Sequence, residues 1–345
     1  MVVKQNENFV VQKGHLVSNM PMVHTFARFA IGVMALAVAA LTPLVSHAEG
    51  PAGNLTRNWS FERWGGAYAD YNGFMLQVAE EWTRFNTFGQ EARFMNDHEY
   101  AAAFSGSGAV ERHSEGNYAQ NLWLGHPFIA GVYQQIPATP GVPYTAKVWP
   151  FIAVGSTVPN PDNKVLVQIG IDPFGGTDAN KPQIVWGEYD GRQKAWPDWK
   201  DGVRTAAYAA APTITLFVRV INMQGEVKPD WNAVWLDAAV CFQAPTVSAS
   251  APERSDSPSF AVTVVNAQAA PDGVLTGDYD IQVKDGLNGQ WRPWINKKSP
   301  GPHTFTGEPG HTYYFRARAW QSYEGIELYG AWNSAPEGDA HTIVG

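Results

Sequence analysis

The sequence is 345 residues long, which suits about two domains of ordinary size beside any targeting segment. Charged residues make up only 16% of it, whereas Gly, Pro and Trp are plentiful at 33, 24 and 14, which excludes a coiled coil and favours short strands joined by turns. The formal net charge of -8 leaves no basic surface for nucleic acid and makes polyanions poor ligands. The composition therefore predicts an all-β protein.

The first element in the chain is a predicted export signal. An apolar run from Phe29 to Val45 follows Arg28 and leads into small residues that end at Ala48. This order is typical of a basic n-region, an apolar h-region and a cleavage site after Ala48. A retained anchor is the alternative, although a run this short with a proline near its end suits a membrane span poorly. We therefore expect residues 1–48 to hold an overlong start and a signal peptide, and the mature chain to be secreted or on the cell surface.

The segment from Asn54 to Phe242 shows short apolar runs divided by turn residues, of which Thr213–Ile221 is an example. Only Phe74–Phe85 has a spacing that fits a helix. A segment of about 190 residues with this pattern suits one β-sandwich, because all-β domains often run long as single units.

Three motifs in this segment resemble the galactose-binding-like jelly rolls of the carbohydrate-binding modules grouped as families 4 and 9. Asn54–Glu62 is similar to their opening strand, and Ala233–Val240 to their closing strand. Between them, Gly131–Trp149 has their order of a Gln-bearing strand, a Pro-Gly turn and a Tyr-Thr strand. The resemblance implies a jelly-roll β-sandwich over residues 49–243 that binds a polysaccharide or glycan without catalysis.

The same resemblance implies a structural calcium held by Glu62 and Asp237. Those families often place one acid on the first strand and one on the last, and a hard cation between them turns charge repulsion into a cross-link. The family usually has a second acid where this chain has Ala238, which leaves fewer ligands. The alternative is that both carboxylates are ordinary solvated acids.

Residues 244–258 are rich in Ala, Ser and Pro, which indicates a linker or an edge strand before a second domain at residues 259–345. In that domain Thr312–Trp320 alternates with the period of a half-buried strand. The step Pro309–Tyr313 resembles the tyrosine corner of fibronectin type III domains, in which the phenol bonds to nearby backbone. The resemblance implies an immunoglobulin-like sandwich that acts as a spacer, with Tyr313 at its corner.

The search for catalytic motifs favours a non-enzyme. The sequence contains no Gly-x-Ser-x-Gly elbow and no glycine-rich phosphate loop. Cys241 is the single cysteine and lies in an apolar run, so we expect a buried, inert thiol. A hydrolase that uses an unrecognised pair of carboxylates stays open as an alternative.

Aromatic residues give the main indication of function, because 14 tryptophans exceed the need of two sandwich cores. A flat ring removes the apolar face of a sugar from water while polar neighbours bond the hydroxyl groups. Two clusters stand out, one within Trp186–Trp199 and one after the first strand, although each ring could instead belong to a core. The predicted ligand-binding residues are Trp186, Tyr189, Arg192, Trp196, Trp199, Trp64, Tyr68 and Trp82.

These observations predict a secreted, non-catalytic carbohydrate-binding protein. The alternative is a cell-surface structural or adhesion protein whose first sandwich recognises protein partners of the cell envelope.

Overall fold

The computed structural model describes residues 50–69, 73, 75–98, 115–154, 163–192, 202–224 and 232–345. The chain divides into two units, Met1–Ser46 and His47–Gly345, and every described residue belongs to the second. The expected signal segment therefore lies outside the described residues. Over the described ranges we find no helix with the length and apolarity that crossing a membrane requires.

The first part of the described chain forms a jelly-roll sandwich of two five-stranded antiparallel sheets with a separate β1–β2 hairpin. The β7 sheet has the order β10-β7-β12-β5-β4, and the β11 sheet has the order β3-β6-β11-β8-β9. The strands are β1 (Trp64–Ala69), β2 (Met75–Ala79), β3 (Thr83–Gly89), β4 (Arg93–His98), β5 (Tyr118–Trp123), β6 (Phe128–Pro137), β7 (Pro143–Val154), β8 (Val165–Asp172), β9 (Val185–Trp186), β10 (Val203–Tyr208), β11 (Thr213–Asn222) and β12 (Asn232–Gln243).

The second part forms another sandwich, from the three-stranded β15 sheet (β13-β15-β18) and the larger β19 sheet (β14-β21-β19-β16-β17, with β20 beside β19). Its strands are β13 (Thr246–Ser250), β14 (Arg254–Ser255), β15 (Ser259–Gln268), β16 (Val274–Asp285), β17 (Arg292–Lys298), β18 (His303–Thr306), β19 (Thr312–Tyr323), β20 (Ile326–Tyr329) and β21 (Ala340–Val344). The predicted fold class, one β-sandwich followed by another, is confirmed.

The helical reading of Phe74–Phe85 is wrong where the segment is described. Residues 75–79 form β2 and residues 83–85 begin β3, and the two strands pair with β1 and β6 respectively. Between them Glu81 has a positive φ of 71°, which no α-helix accepts in its interior. Pairing with β1 and with the more distant β6 therefore overrides the local spacing.

The core of the first sandwich comes from period-2 alternation on strands of both sheets. On β7 the side chains of Val148, Ile152 and Val154 enter the core, while Trp149 and Phe151 lie on the opposite face. Almost the whole of β7 and β12 is buried on both faces, so the β7 sheet is covered on its outer side as well.

That outer side of the β7 sheet packs against the second sandwich. Phe242 at the end of β12 stacks on Tyr323 of β19, with ring centroids 4.1 Å apart and planes 20° from parallel. Arg204 Nε donates to the carbonyl of Glu327 at 3.1 Å, and Tyr329 Oη donates to the carbonyl of Arg204 at 3.2 Å. Apolar stacking and satisfied backbone groups thus fix the β19–β20 hairpin on the first sandwich.

Each sandwich contains a Pro-Gly-x-x-Tyr step that makes the same hydrogen bond. The backbone N–H of Thr139 donates to Tyr144 Oη at 2.9 Å, and that of Glu308 donates to Tyr313 Oη at 3.1 Å. The glycine of each step adopts a left-handed φ, 81° and 83°, which glycine accepts without strain. Both phenol rings are buried, so each corner ties a turn to the core below it.

We expect Tyr144→Phe and Tyr313→Phe each to lower the free energy of unfolding by about 1 kcal/mol, because a partly buried N–H loses its acceptor. The two losses should add in the double variant, since the corners lie in different sandwiches. Urea unfolding followed by circular dichroism measures both. Tyr314→Phe is the matched control, because Tyr314 lies on the opposite face of β19 and is half-buried. Equal stability of all three variants would contradict the role of the corners.

Candidate functional site

The outer face of the β11 sheet carries an aromatic group that belongs to neither sandwich core. On β11 the side chains of Leu216 and Val218 enter the core, so Phe217 and Arg219 lie on the outer face. The strand register aligns Phe217 with Tyr133 on β6 and with Gly170 on β8. One row of outward side chains therefore crosses the middle of the sheet.

Three rings surround Phe217 on this face. Its ring centroid lies 5.5 Å from that of Tyr133, 5.7 Å from Phe85 and 6.1 Å from Trp186. These separations and the tilted or edge-on planes are those that aromatic pairs prefer. We call Phe85, Tyr133, Trp186 and Phe217 the aromatic shelf.

Two glycines make room for the shelf on neighbouring strands. A Cβ added at Gly170 would lie 2.5 Å from Cε3 of Trp186, and one at Gly131 would lie 2.8 Å from Cζ of Phe85. At Gly131 an added Cβ would also clash with the carbonyl oxygen of Val218, so that glycine lets the backbone of β11 and the Phe85 ring approach β6 together. At Gly170 the Trp186 ring occupies the space that a side chain would need.

The shelf is open to solvent. Phe217 is fully buried and forms its floor, whereas Phe85, Tyr133 and Trp186 are half-buried. Tyr189 follows Trp186 in the chain and is 56% exposed. The four rings therefore form an apolar surface that solvent reaches in part.

Arg219 places a fixed set of polar donors beside the rings. Its guanidinium carbon lies 3.7 Å from the centroid of the Trp186 ring, a close cation–π contact. Arg219 Nε and Nη2 donate to Oε1 of Gln168 at 3.0 and 2.5 Å, and Gln168 Nε2 donates to the carbonyl of Gly187 at 2.5 Å. Burial lowers the pKa of the Arg219 guanidinium, and the neighbouring phenol of Tyr189 opposes that shift.

Of the first predicted cluster, Trp186 and Tyr189 lie at the shelf. Arg192 instead forms a two-point ion pair with Asp190, with Nε–Oδ1 and Nη2–Oδ2 distances of 3.0 Å. Trp196 and Trp199 lie outside the described residues.

The second predicted cluster does not join the shelf. Trp64 and Tyr68 lie on β1, which pairs only with β2 among the described strands. Trp64 is 45% exposed and packs edge-on against Tyr118, with ring centroids 5.5 Å apart.

The interpretation of Trp82 as an exposed binding residue is wrong. Its indole is buried in the core, packs against Phe61 and donates from Nε1 to the carbonyl of Asn58 at 3.1 Å. A residue assigned to the aromatic cluster after the first strand is here an anchor of the core.

Sequence reasoning missed Phe85, Tyr133, Gln168, Phe217 and Arg219. Phe85 lies in the segment whose spacing fits a helix, and the other four lie in strands in which only alternation is visible. Alternation does not say which of the two faces is covered. The outward glycines Gly131 and Gly170 were the available signal, because a glycine inside a strand often marks a close approach.

The two acids predicted to bind calcium lie at opposite ends of one short segment, residues 115–118. Glu62 Oε1 accepts the N–H groups of Asn117 and Tyr118, each at 2.9 Å. Asp237 Oδ2 accepts the N–H of Glu115 at 2.8 Å. Both carboxylates therefore hold this segment through backbone donors.

Carboxylate oxygens of this kind fit calcium, which takes six to eight oxygen ligands. Among the described residues no group of three or more His, Cys, Asp and Glu could hold an ion, so further ligands would be neutral oxygens: backbone carbonyls, Asn or Gln side chains, or water. Calcium at Glu62 and Asp237 stays a prediction. Such an ion would cross-link the start of the sandwich to β12.

The sequence matches no protein-family model and no curated protein sequence. Solved structures with a similar fold include TmCBM61 in complex with beta-1,4-galactotriose, which is 16% identical with a TM-score of 0.32 over 55% of this chain and 98% of that one. The enzymatically active domain of bacteriophage CBA120 tailspike protein 4 is 11% identical, with a TM-score of 0.32 over 56% of this chain and 22% of that one. The adhesin domain of Epf from Streptococcus pyogenes is 9% identical, with a TM-score of 0.26 over 76% of this chain and 92% of that one. Similarity this weak carries no functional argument.

Thermal unfolding in calcium and in chelator tests the metal prediction. A bound ion stabilises only the folded state, so the midpoint should rise with calcium concentration, and Glu62→Gln should abolish the rise. Glu188→Gln is a matched control, because Glu188 is an exposed acid away from residues 115–118. Equal midpoints in calcium and in chelator would contradict the prediction.

Proposed function

We propose that the first sandwich binds a glycan reversibly on the aromatic shelf, and that the chain is a secreted, non-catalytic carbohydrate-binding protein. The observation that carries the proposal is an open row of rings beside an immobilised guanidinium. Export is inferred from the residues between Phe29 and Ala48.

The chemistry of the shelf suits a sugar ring. The apolar C–H face of a pyranose can cover the half-buried rings of Tyr133 and Phe85, which removes apolar surface of both partners from water. Arg219 and Tyr189 lie at the edge of that surface, where hydroxyl groups project from a sugar. Stacking would supply affinity and these polar groups orientation.

The shelf is also rigid enough to bind without rearrangement. Its rings rest on paired strands, and Gln168 holds Arg219 from one side while Trp186 supports it from below. Preorganised groups lose little conformational entropy on binding, which raises affinity for the same contact area.

The properties of the thiol support a non-catalytic role. Cys241 lies in the core of the first sandwich, and burial raises the pKa of its thiol to about 12. A thiol with that pKa is protonated at neutral pH and is a poor nucleophile.

We assign the second sandwich as a fibronectin type III-like spacer. The bond from Glu308 N–H to the Tyr313 phenol is the contact that a tyrosine corner requires. The β19–β20 hairpin of the spacer packs on the β7 sheet. These contacts therefore do not cover the β11 sheet, which carries the aromatic shelf.

A glycan array probed with the mature chain tests the proposal, and the selected glycan then allows titration of variants. We expect Tyr133→Ala to weaken binding by about tenfold or more, as the loss of a stacking anchor worth at least about 1.4 kcal/mol implies. Trp64→Ala is the matched control, an exposed aromatic on the β1–β2 hairpin that should leave the affinity unchanged.

The outcomes separate the alternatives. Loss of binding in Trp64→Ala but not in Tyr133→Ala would place the site on the hairpin. Absence of binding to every glycan would contradict the proposal. Release of reducing sugar by the purified chain would contradict its non-catalytic part.

A further inference from the structure

We propose that the shelf selects an acidic sugar, a uronate whose carboxylate pairs with the guanidinium of Arg219. The inference rests on the proposed function and names the class of ligand for the same site. A uronate offers an apolar ring face and a carboxylate on one residue, which matches rings and a cation on one sheet face.

The first observation is that Arg219 has no acidic partner within the described part of the chain. Its contacts there are the amide oxygen of Gln168, the ring of Trp186 and the phenol of Tyr189. Arg192, on the segment that follows Trp186, is instead paired with Asp190 at 3.0 Å. Arg219 is therefore a half-buried cation held by neutral groups.

The second observation concerns the donors that these contacts leave. A guanidinium has five N–H donors in a planar fork. Gln168 Oε1 accepts one from Nε and one from Nη2, and the phenol oxygen of Tyr189 can accept one more. At least two N–H groups remain, which is the number that a carboxylate accepts in a two-point pair.

Desolvation makes the match favourable. Burial lowers the pKa of Arg219, and only the phenol of Tyr189, the amide oxygen of Gln168 and the ring of Trp186 offset the cost of burying its charge. A ligand carboxylate would supply the missing charge, whereas a neutral hydroxyl would supply only a weaker hydrogen bond. Trp186 below and Gln168 beside the guanidinium keep its planar fork in place, which preorganises such a pair.

The described acids between Trp186 and Arg192 do not pair with Arg219. Asp190 is buried and bonded to Arg192. Glu188 is exposed, and its charge acts on the second sandwich: burial raises the pKa of the Tyr329 phenol, and the charge of Glu188 adds to that rise.

The negative net charge of the chain excludes a general attraction of anionic ligands as the cause of uronate binding. At -8 the protein repels polyanions in general, which is why the composition alone disfavours them. Preferential binding of an anionic sugar would then come from a local cation and not from the overall field.

The experiment is calorimetric titration of the full chain with oligomers of galacturonate, mannuronate and glucuronate, each compared with its methyl ester and with neutral galacto-oligosaccharide of equal length. We expect one uronate to bind about tenfold or more tightly than its ester, as one added charge-assisted pair implies. Its affinity should fall with added salt, because exposed charge interactions are screened. The ester should show no such fall.

Variants assign the effect to Arg219. Arg219→Gln should equalise the affinities for uronate and ester, and Arg219→Lys should restore only part of the preference because the ammonium lacks the planar fork. Tyr133→Ala should weaken both ligands by the same factor. Circular dichroism of each variant verifies folding, and the wild-type comparison of acid with ester tests the proposal without any variant.

Equal affinity for acid and ester, or binding of the neutral oligosaccharide alone, would overturn this inference and leave the proposed glycan binding intact. A preference that survives in Arg219→Gln would also overturn it. Absence of binding to all of these ligands and to every arrayed glycan would overturn the proposed function as well.

Discussion

Phe217 organises the outer face of the β11 sheet. It projects away from the core and is nevertheless fully buried, because the rings of Phe85, Tyr133 and Trp186 and the buried side chains of Ala179 and Ile184 pack in one cluster with it. This packing needs strands β6 and β8 to present glycine at Gly131 and Gly170, where a Cβ would meet a ring. The rest of the site follows from that arrangement, since Arg219 and Gln168 occupy the next row of the same three strands.

The two outer faces of the first sandwich are both apolar, but only one of them is buried by the second sandwich. On the β7 sheet Phe151 and Trp235 are buried in one cluster with Tyr323 and Leu328 of the second sandwich. Packing within the chain therefore buries that face and leaves little of it for a ligand. On the β11 sheet the rings of Phe85, Tyr133 and Trp186 are half-buried, and a ligand can cover the part of their surface that is still exposed.

The sequence predicted the features that depend on local order. Alternation identified the strands, and the Pro-Gly-x-x-Tyr step identified the corner at Tyr313, which recurs at Tyr144. Features set by strand register could not be predicted. Phe217 and Arg219 lie in an apolar run whose two faces cannot be told apart until β6 and β8 are placed beside it. Trp82 belongs to an aromatic cluster after the first strand, and its burial becomes visible only once the core is assembled. Of the predicted binding residues only Trp186 and Tyr189 lie at the shelf. Trp186 is part of β9, which pairs with β8, and Tyr189 follows it in the chain.

The most direct test of the account is hydroxyl-radical footprinting of the mature chain without and with the glycan that it retains. The account predicts that Phe85, Tyr133 and Trp186 are oxidised in the free protein and protected by the glycan, while the buried indoles of Trp82 and Trp235 stay unreactive in both. Protection of the three shelf rings in the free protein would mean that the face is covered, and would contradict the claim that an open aromatic surface is the site.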